Sequence, residues 1–311
     1  MNEFRHVSVL LSECIDALAV KPEGTYVDCT LGGGGHSLEI VKRLTVGRLI
    51  AIDRDGDALS AAGQRLAEYR EKITFVKDNF ENLAAVIAKY APDGVDGVLF
   101  DLGVSSYQLD TGERGFSYHA EAPLDMRMDR DSDFSAYDVV NTYSCADLAR
   151  IIRDYGEERY ASRIASAIVK RRELQPIETT LELSDIIKSV FPPKERFEGK
   201  NPSRRTFQAI RIEVNRELDA IPAALDAAVA GLKSGGRIAV ITFHSLEDRL
   251  VKEKFREYID GCTCPKDFPV CVCGFKPSLK LINKKPITAD TQELDENLRA
   301  RSAKLRIAEK L

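Results

Sequence analysis

The segment that most constrains this chain is Val27-Asp28-Cys29-Thr30-Leu31-Gly32-Gly33-Gly34-Gly35-His36-Ser37. A short β-branched run enters four consecutive glycines, and a helical pattern leaves them. Without a Cβ, glycine lets a backbone turn tightly and approach a ligand closely. In an open sheet of parallel strands, that turn opens the crevice at the carboxyl ends of the strands, where ligands bind. The spacing is not that of a dinucleotide fingerprint: with Gly32 and Gly34 as the first pair, the third glycine falls on Ser37. It fits better an acidic-x-Gly-x-Gly-x-Gly loop of methyltransferases, with Thr30 in the first glycine's place.

The neighbouring pattern supports such a sheet. Thr25–Thr30, Arg48–Asp53, Ile73–Val76 and Val95–Asp101 are short apolar runs, each closing on a polar or glycine-rich turn. Helical spacing over Ser37–Leu44, Asp57–Tyr69 and Leu83–Tyr90 separates them. Strand–helix alternation implies parallel pairing with right-handed crossovers. From about Gln108 to about Arg205 no strong strand is visible, only helical stretches: Ala146–Tyr155, Tyr160–Glu173 and Leu181–Val190. Helices near Thr206–Leu218 and Pro222–Leu232 resume the pattern. A turn at Ser234-Gly235-Gly236 and a strand at Arg237–Thr242 follow, and Leu279–Ile282 and Lys304–Ala308 supply two last strands. The expected fold is α/β, a class I (Rossmann-like) S-adenosylmethionine methyltransferase sheet with an inserted helical domain. Residues 1–107 and 209–311 form the first part and 108–208 the insert.

Strand ends carry the candidate cofactor contacts. Asp53 closes the second strand, where a carboxylate can accept both hydroxyls of a ribose; Asp55 and Asp57 follow it, and a helix N-terminal acid accounts for one of the three. Phe80, after the third strand, is placed to cover an adenine. Asp101 ends the fourth strand, where the transferred methyl should lie. His244 follows the fifth strand; a structural role is favoured, with Ser245 and Asp248 as the cap of the next helix and its partner, against contact with a base or a proton relay.

Composition narrows the setting. The chain has 311 residues, 30% charged, with a net charge of −4, so nucleic-acid contact must come from local patches. One such patch gathers Lys194, Arg196, Lys200, Arg204 and Arg205, interleaved with Phe191, Phe197 and Phe207; Lys170-Arg171-Arg172 is a second basic run. No apolar run approaches the roughly 18 residues of a membrane helix. The acidic and basic residues among the first eighteen do not suit a signal peptide. Seven cysteines do not suit a secreted disulfide framework, so a cytoplasmic protein with no membrane partner is expected. Monomer and homodimer both remain open.

Longer blocks carry a family resemblance. His6-Val7-Ser8-Val9-Leu10-Leu11, the glycine loop through Ser37, Ala51-Ile52-Asp53-Arg54-Asp55 and Asp101-Leu102-Gly103-Val104-Ser105-Ser106-Tyr107-Gln108 resemble the bacterial small-subunit ribosomal RNA cytosine-N4 methyltransferase family. So do Glu113-Arg114-Gly115-Phe116-Ser117, Pro123-Leu124-Asp125-Met126-Arg127-Met128-Asp129, Tyr155-Gly156-Glu157-Glu158-Arg159, Arg205-Thr206-Phe207-Gln208-Ala209-Ile210-Arg211 and Phe243-His244-Ser245-Leu246-Glu247-Asp248-Arg249. The resemblance implies S-adenosyl-L-methionine as cofactor, held by Gly34, Gly35, His36, Asp53, Phe80, Asp101 and Gln108. It also implies methylation of one cytidine in the decoding region of 16S ribosomal RNA, the partner being this RNA within the small ribosomal subunit, and substrate recognition by the insert. Asp101 is the first candidate for a catalytic acceptor. A ribosome-assembly factor that keeps the cofactor site without turnover is the competing reading from another class. The missing third glycine argues against a nicotinamide dehydrogenase.

One segment departs from the resemblance. Cys262-Thr263-Cys264 and Cys271-Val272-Cys273 are two Cys-x-Cys pairs separated by six residues. Four thiols suit tetrahedral zinc, although two to four residues within a pair is the usual spacing. Four reduced thiols in a surface loop are the alternative, and the spacing does not choose between them.

Overall fold

The computed structural model of the chain describes residues 8–197, 201–265 and 272–311. His6, Val7, Lys200, Cys271 and the Phe197 side chain, named above, lie outside the described residues. One seven-stranded sheet contains β1 (Thr25–Asp28), β2 (Arg48–Asp53), β3 (Ile73–Lys77), β4 (Val95–Asp101), β5 (Leu232–Thr242), β6 (Leu279–Leu281) and β7 (Lys304–Lys310). Its order is β3-β2-β1-β4-β5-β7-β6. Strands β1 to β5 pair in parallel, and β7 runs antiparallel to both β5 and β6. This is the expected class I methyltransferase sheet.

The strands read as nearly continuous apolar runs because both faces are covered. Side chains alternate between the faces with period two. Val27, Ile50, Ile52, Val98, Phe100, Ile238 and Val240 enter one core, under α4 (Leu83–Tyr90), α12 (Glu217–Gly231) and α13 (Ser245–Asp260). Tyr26, Leu49, Ala51, Leu99, Ala239 and Ile241 enter the other, under α1 (Leu11–Leu18), α2 (Gly35–Arg43) and α3 (Gly56–Arg65). The turn expected at Ser234-Gly235-Gly236 does not interrupt β5. Gly235 takes φ +77° and the register with β4 shifts between Val95 and Gly97, so the strand absorbs the irregularity as a bulge.

The chain divides into two compact units: the described residues up to Gly103 with Leu218–Leu311, and Val104–Glu217. The second unit thus begins before residue 108 and ends after residue 208. It contains α5 (Ser106–Asp110), α6 (Ala136–Thr142), α7 (Cys145–Asp154), α8 (Ala161–Arg172), α9 (Thr180–Val190), α10 (Pro193–Phe197) and α11 (Ser203–Asn215). Helix α11 falls here because Phe207, Ile210 and Val214 share a core with Leu148, Ile151, Ile164 and Leu183. Arg216 (φ +50°) ends that helix, and α12 begins at the next residue. Asp125 and Arg127 spend their charges on each other at 2.8 Å.

Candidate active site

The strand order reverses at β1: the chain proceeds outward through β2 and β3, then returns to β4 and β5 on the other side. The loop after β1 therefore sits at the switch point, where a crevice opens at the strand ends. Three side chains fix this loop. Asp28, 1% exposed, accepts from the Ser37 hydroxyl (2.7 Å) and the Thr30 amide (3.1 Å). Burial pushes its carboxyl up to about 6. Thr30 Oγ1 accepts from the Asp101 amide at 2.6 Å, tying the loop to the end of β4. Asp53 accepts from the Gly32 amide (2.7 Å) on one carboxylate oxygen and the Asp55 amide (2.9 Å) on the other.

The Ser37 bond explains what the glycine spacing left open. A serine stands at the third-glycine position because its hydroxyl anchors the loop to Asp28. Three glycines are demanded by geometry, the first being Gly32 at φ +50°. Gly34 lies at φ +73°, and a Cβ on Gly35 would meet Ser8 Oγ at 1.8 Å. Gly33 faces open space, so its backbone can be approached by a ligand.

The run of three acids after β2 also divides by role. Asp55 caps α3 by accepting from the Asp57 amide (3.0 Å), and Asp57 lies in the first turn. Asp53 remains at the crevice. Burial, followed by the Asp55 and Asp28 carboxylates, outweighs its two backbone donors and pushes its carboxyl up to about 6. Each of its oxygens keeps a second lone pair for a ligand hydroxyl. After β3, Phe80 begins a short turn capped by Asn79 and packs edge-on against Phe100, with ring centroids 5.9 Å apart. It is only partly buried.

Asp101 and His36 meet over the glycine loop. His36 Nε2 lies 3.0 Å from the Val9 carbonyl, which can only accept, so Nε2 carries the proton. Nδ1 then turns its lone pair toward Asp101 Oδ2, 3.7 Å away. Burial and the carboxylates of Asp28 and Glu247 hold the Asp101 carboxyl well above its ordinary range. Its Oδ1 is buried with no hydrogen-bond partner among the described residues, yet the side chain keeps 26% of its exposure. A buried acceptor left without a donor calls for one, and the partly exposed side chain places the carboxyl group at the crevice.

Two expected residues sit differently. Gln108 belongs to the second unit, where its side-chain carbonyl accepts from the Ser105 amide (3.1 Å) in the capping box of α5. The cap of α13 is displaced by one residue from the expected pair: His244 is the cap and Glu247 its partner, accepting from the Phe243 amide at 2.7 Å. Asp248 instead pairs with Lys304 (3.1 Å) and Arg306 (2.7 Å) of β7. Glu247, 1% exposed, is the acid that the sequence reading missed.

The cysteine cluster is brought together in the first unit. The sulfurs of Cys262, Cys264 and Cys273 lie within 4.8 Å of one another, with Cys262 and Cys273 3.6 Å apart. The Val272 amide donates to Cys264 Sγ at 3.3 Å. No helix among the described residues is long and apolar enough to cross a membrane.

Comparison with known proteins gives consistent matches along the chain. A family model described as the MraW methylase family matches residues 3–311. The ribosomal RNA small subunit methyltransferase H of Lachnospira eligens is 55% identical over 99% of this chain and 98% of its own length. The protein of that name from Clostridioides difficile is 54% identical over 99% of this chain and 100% of its own. Among solved structures, an rRNA methylase from Streptococcus thermophilus aligns with 98% of this chain and 99% of its own, at 13% identity and a TM-score of 0.45.

Proposed function

Because the chain belongs to the MraW methylase family, we propose that it transfers a methyl group from S-adenosylmethionine to the exocyclic N4 of a cytidine in the decoding region of 16S ribosomal RNA. The name of the full-length relatives supports ribosomal RNA of the small subunit as substrate. The observation that carries the chemistry is the orphaned Oδ1 of Asp101 at the switch point. The crevice residues fit the cofactor: Gly33 leaves its backbone open, and Asp53 offers lone pairs on both oxygens.

The cofactor supplies an electrophilic methyl on a positively charged sulfonium. Asp53 would hold the ribose hydroxyls, the backbone of Gly34, Gly35 and His36 would line the cofactor's loop, and Phe80 would cover the adenine. The cytosine amino nitrogen is a weak nucleophile because its lone pair is delocalised into the ring, so alignment with the methyl provides much of the acceleration. Positive charge grows on that nitrogen as the bond forms. Asp101, accepting from its N–H, stabilises this charge more in the transition state than in the ground state. The excess proton of the nitrogen passes to the ionised Asp101 carboxylate. The base enters the site unstacked. The setting is the cytoplasm, with the small subunit as partner.

The test is transfer of labelled methyl to small-subunit RNA, offered as naked RNA and as assembled subunits. Label in RNA is expected. Tight binding of S-adenosylhomocysteine with no transfer to either substrate would favour the assembly factor.

A second reading concerns the cysteines. We propose that Cys262, Cys264 and Cys273, with Cys271 as the fourth thiol of the sequence pattern, hold a structural zinc ion. Zn–S bonds of about 2.3 Å in a tetrahedron put sulfurs about 3.8 Å apart, close to the 3.6 Å between Cys262 and Cys273. Purified protein should carry about one equivalent of zinc by elemental analysis, and Cys262→Ser should lose it. Reduced, fully active protein without metal contradicts this reading.

A further inference from the structure

The basic stretch around residues 194–205 is not a uniform surface. Arg196 donates to the carbonyls of Phe191 (2.8 Å) and Ser189 (3.0 Å), so its guanidinium closes the end of α9. Arg204 and Arg205, in the first turn of α11, instead meet Arg159 from the loop before α8 around a cavity of about 410 Å³. That size suits a ligand comparable to one nucleotide.

The cavity's charges do not cancel. Arg159 is paired with Glu195, and Arg205 lies 3.8 Å from Glu158. Glu158 also accepts from the Tyr160 amide (3.0 Å), and Glu195 from the Tyr160 hydroxyl (3.3 Å). Arg204 has no carboxylate within ion-pair distance among the described residues and is half-buried. Three guanidiniums against two carboxylates leave one positive charge, and the start of α11 adds the positive end of a helix dipole. Guanidinium forks match phosphate oxygens in geometry as well as charge. Phe191, buried and packed edge-on against Tyr160 at 4.9 Å, contributes an apolar edge to one wall.

We infer that this cavity holds one phosphodiester and its nucleotide from a single-stranded stretch of RNA, as a contact that the helical unit makes by itself. The inference rests on RNA being the substrate, as proposed above. Arg204 is its central cation, and Arg159 and Arg205 are partly committed to glutamates until the phosphate arrives.

The experiment titrates the full chain with a single-stranded oligoribonucleotide of small-subunit ribosomal sequence across a salt series. Wild type is compared with Arg204→Gln, Arg204→Lys and the exposed Arg159→Gln. Losing one phosphate contact on a single strand lowers the slope of log K against log salt by about 0.7 and weakens binding about fivefold at 0.1 M salt. Arg204→Gln and Arg159→Gln should both show this, and Arg204→Lys should retain the wild-type slope. S-adenosylhomocysteine affinity should stay at the wild-type value in all three, which excludes misfolding. Wild-type slope and affinity in both Gln variants would overturn the proposal. So would saturable binding of inorganic phosphate, lost in Arg204→Gln, with oligonucleotide binding unaffected, since that describes a free-anion site. Loss of the methyltransferase reading leaves a different signature: no methyl transfer by wild type, with the salt slopes still differing.

Discussion

Asp101→Asn is expected to slow methyl transfer by on the order of a hundredfold or more, the scale of removing one preorganised electrostatic group, while S-adenosylmethionine affinity changes much less. The substitution keeps the size and one acceptor oxygen but removes the charge that answers the positive charge growing on N4. The buried Oδ1 makes this residue sensitive, because none of the described residues gives it a hydrogen bond. The pH dependence carries the same information. Burial and the carboxylates of Asp28 and Glu247 raise the Asp101 carboxyl, so the ionised form is populated only as pH rises. Single-turnover transfer should therefore climb with pH through that ionisation, and the Asn variant should lose this limb. The opposite ordering, steep loss of cofactor affinity with near-normal transfer at saturation, would make Asp101 a cofactor anchor.

Asp53→Ala is expected to raise the dissociation constant for S-adenosylhomocysteine by a factor of roughly 5 to 150, equivalent to about 1–3 kcal/mol for buried polar groups left without a partner. Two effects add. The ribose hydroxyls lose their acceptor, and the Gly32 and Asp55 amides lose theirs, so the loop is less well held before any ligand arrives. Asp53→Asn separates them, since one carbonyl oxygen still serves an amide; its affinity should fall between those of wild type and Asp53→Ala in calorimetric titration. Unchanged affinity in Asp53→Ala would remove Asp53 from the cofactor site.

Much of the sheet was legible because buried parallel strands leave short apolar runs. The ends of β2 and β4 could be read to the residue, each closing on a polar or glycine-rich turn, whereas β1 stops at Asp28, two residues before the expected Thr30. The candidate site acids at those ends were visible for the same reason: Asp53 and Asp101 break an apolar run where a core side chain would otherwise stand. What escaped depends on contacts between segments distant in sequence. Nothing local distinguishes Ser37 from an ordinary helical serine until Asp28 is placed opposite it. Glu247 was hidden behind Asp248, because both Ser245-x-x-Asp248 and His244-x-x-Glu247 satisfy cap spacing, and only burial of Glu247 chooses the second. The limits of the helical unit were also illegible. The apolar stripe of α11 fits a helix packed on a sheet as well as one packed on other helices, and its contacts with Leu148 and Ile151 are long-range. The bulge in β5 looks like a turn in sequence because Gly235 supplies positive φ to either.

The central claim is that N4 of one cytidine in 16S ribosomal RNA receives the methyl group. Mass spectrometry of nucleosides and mapped fragments of that RNA tests it most directly, in cells with the protein, without it, and complemented by wild type or Asp101→Asn. The account predicts an N4-methylated cytidine in the decoding region that disappears with the protein, returns with wild type and remains depleted with Asp101→Asn. A 16S RNA whose N4 methylation is unchanged by loss of the protein, or a missing methyl that maps to another atom or base, would contradict it.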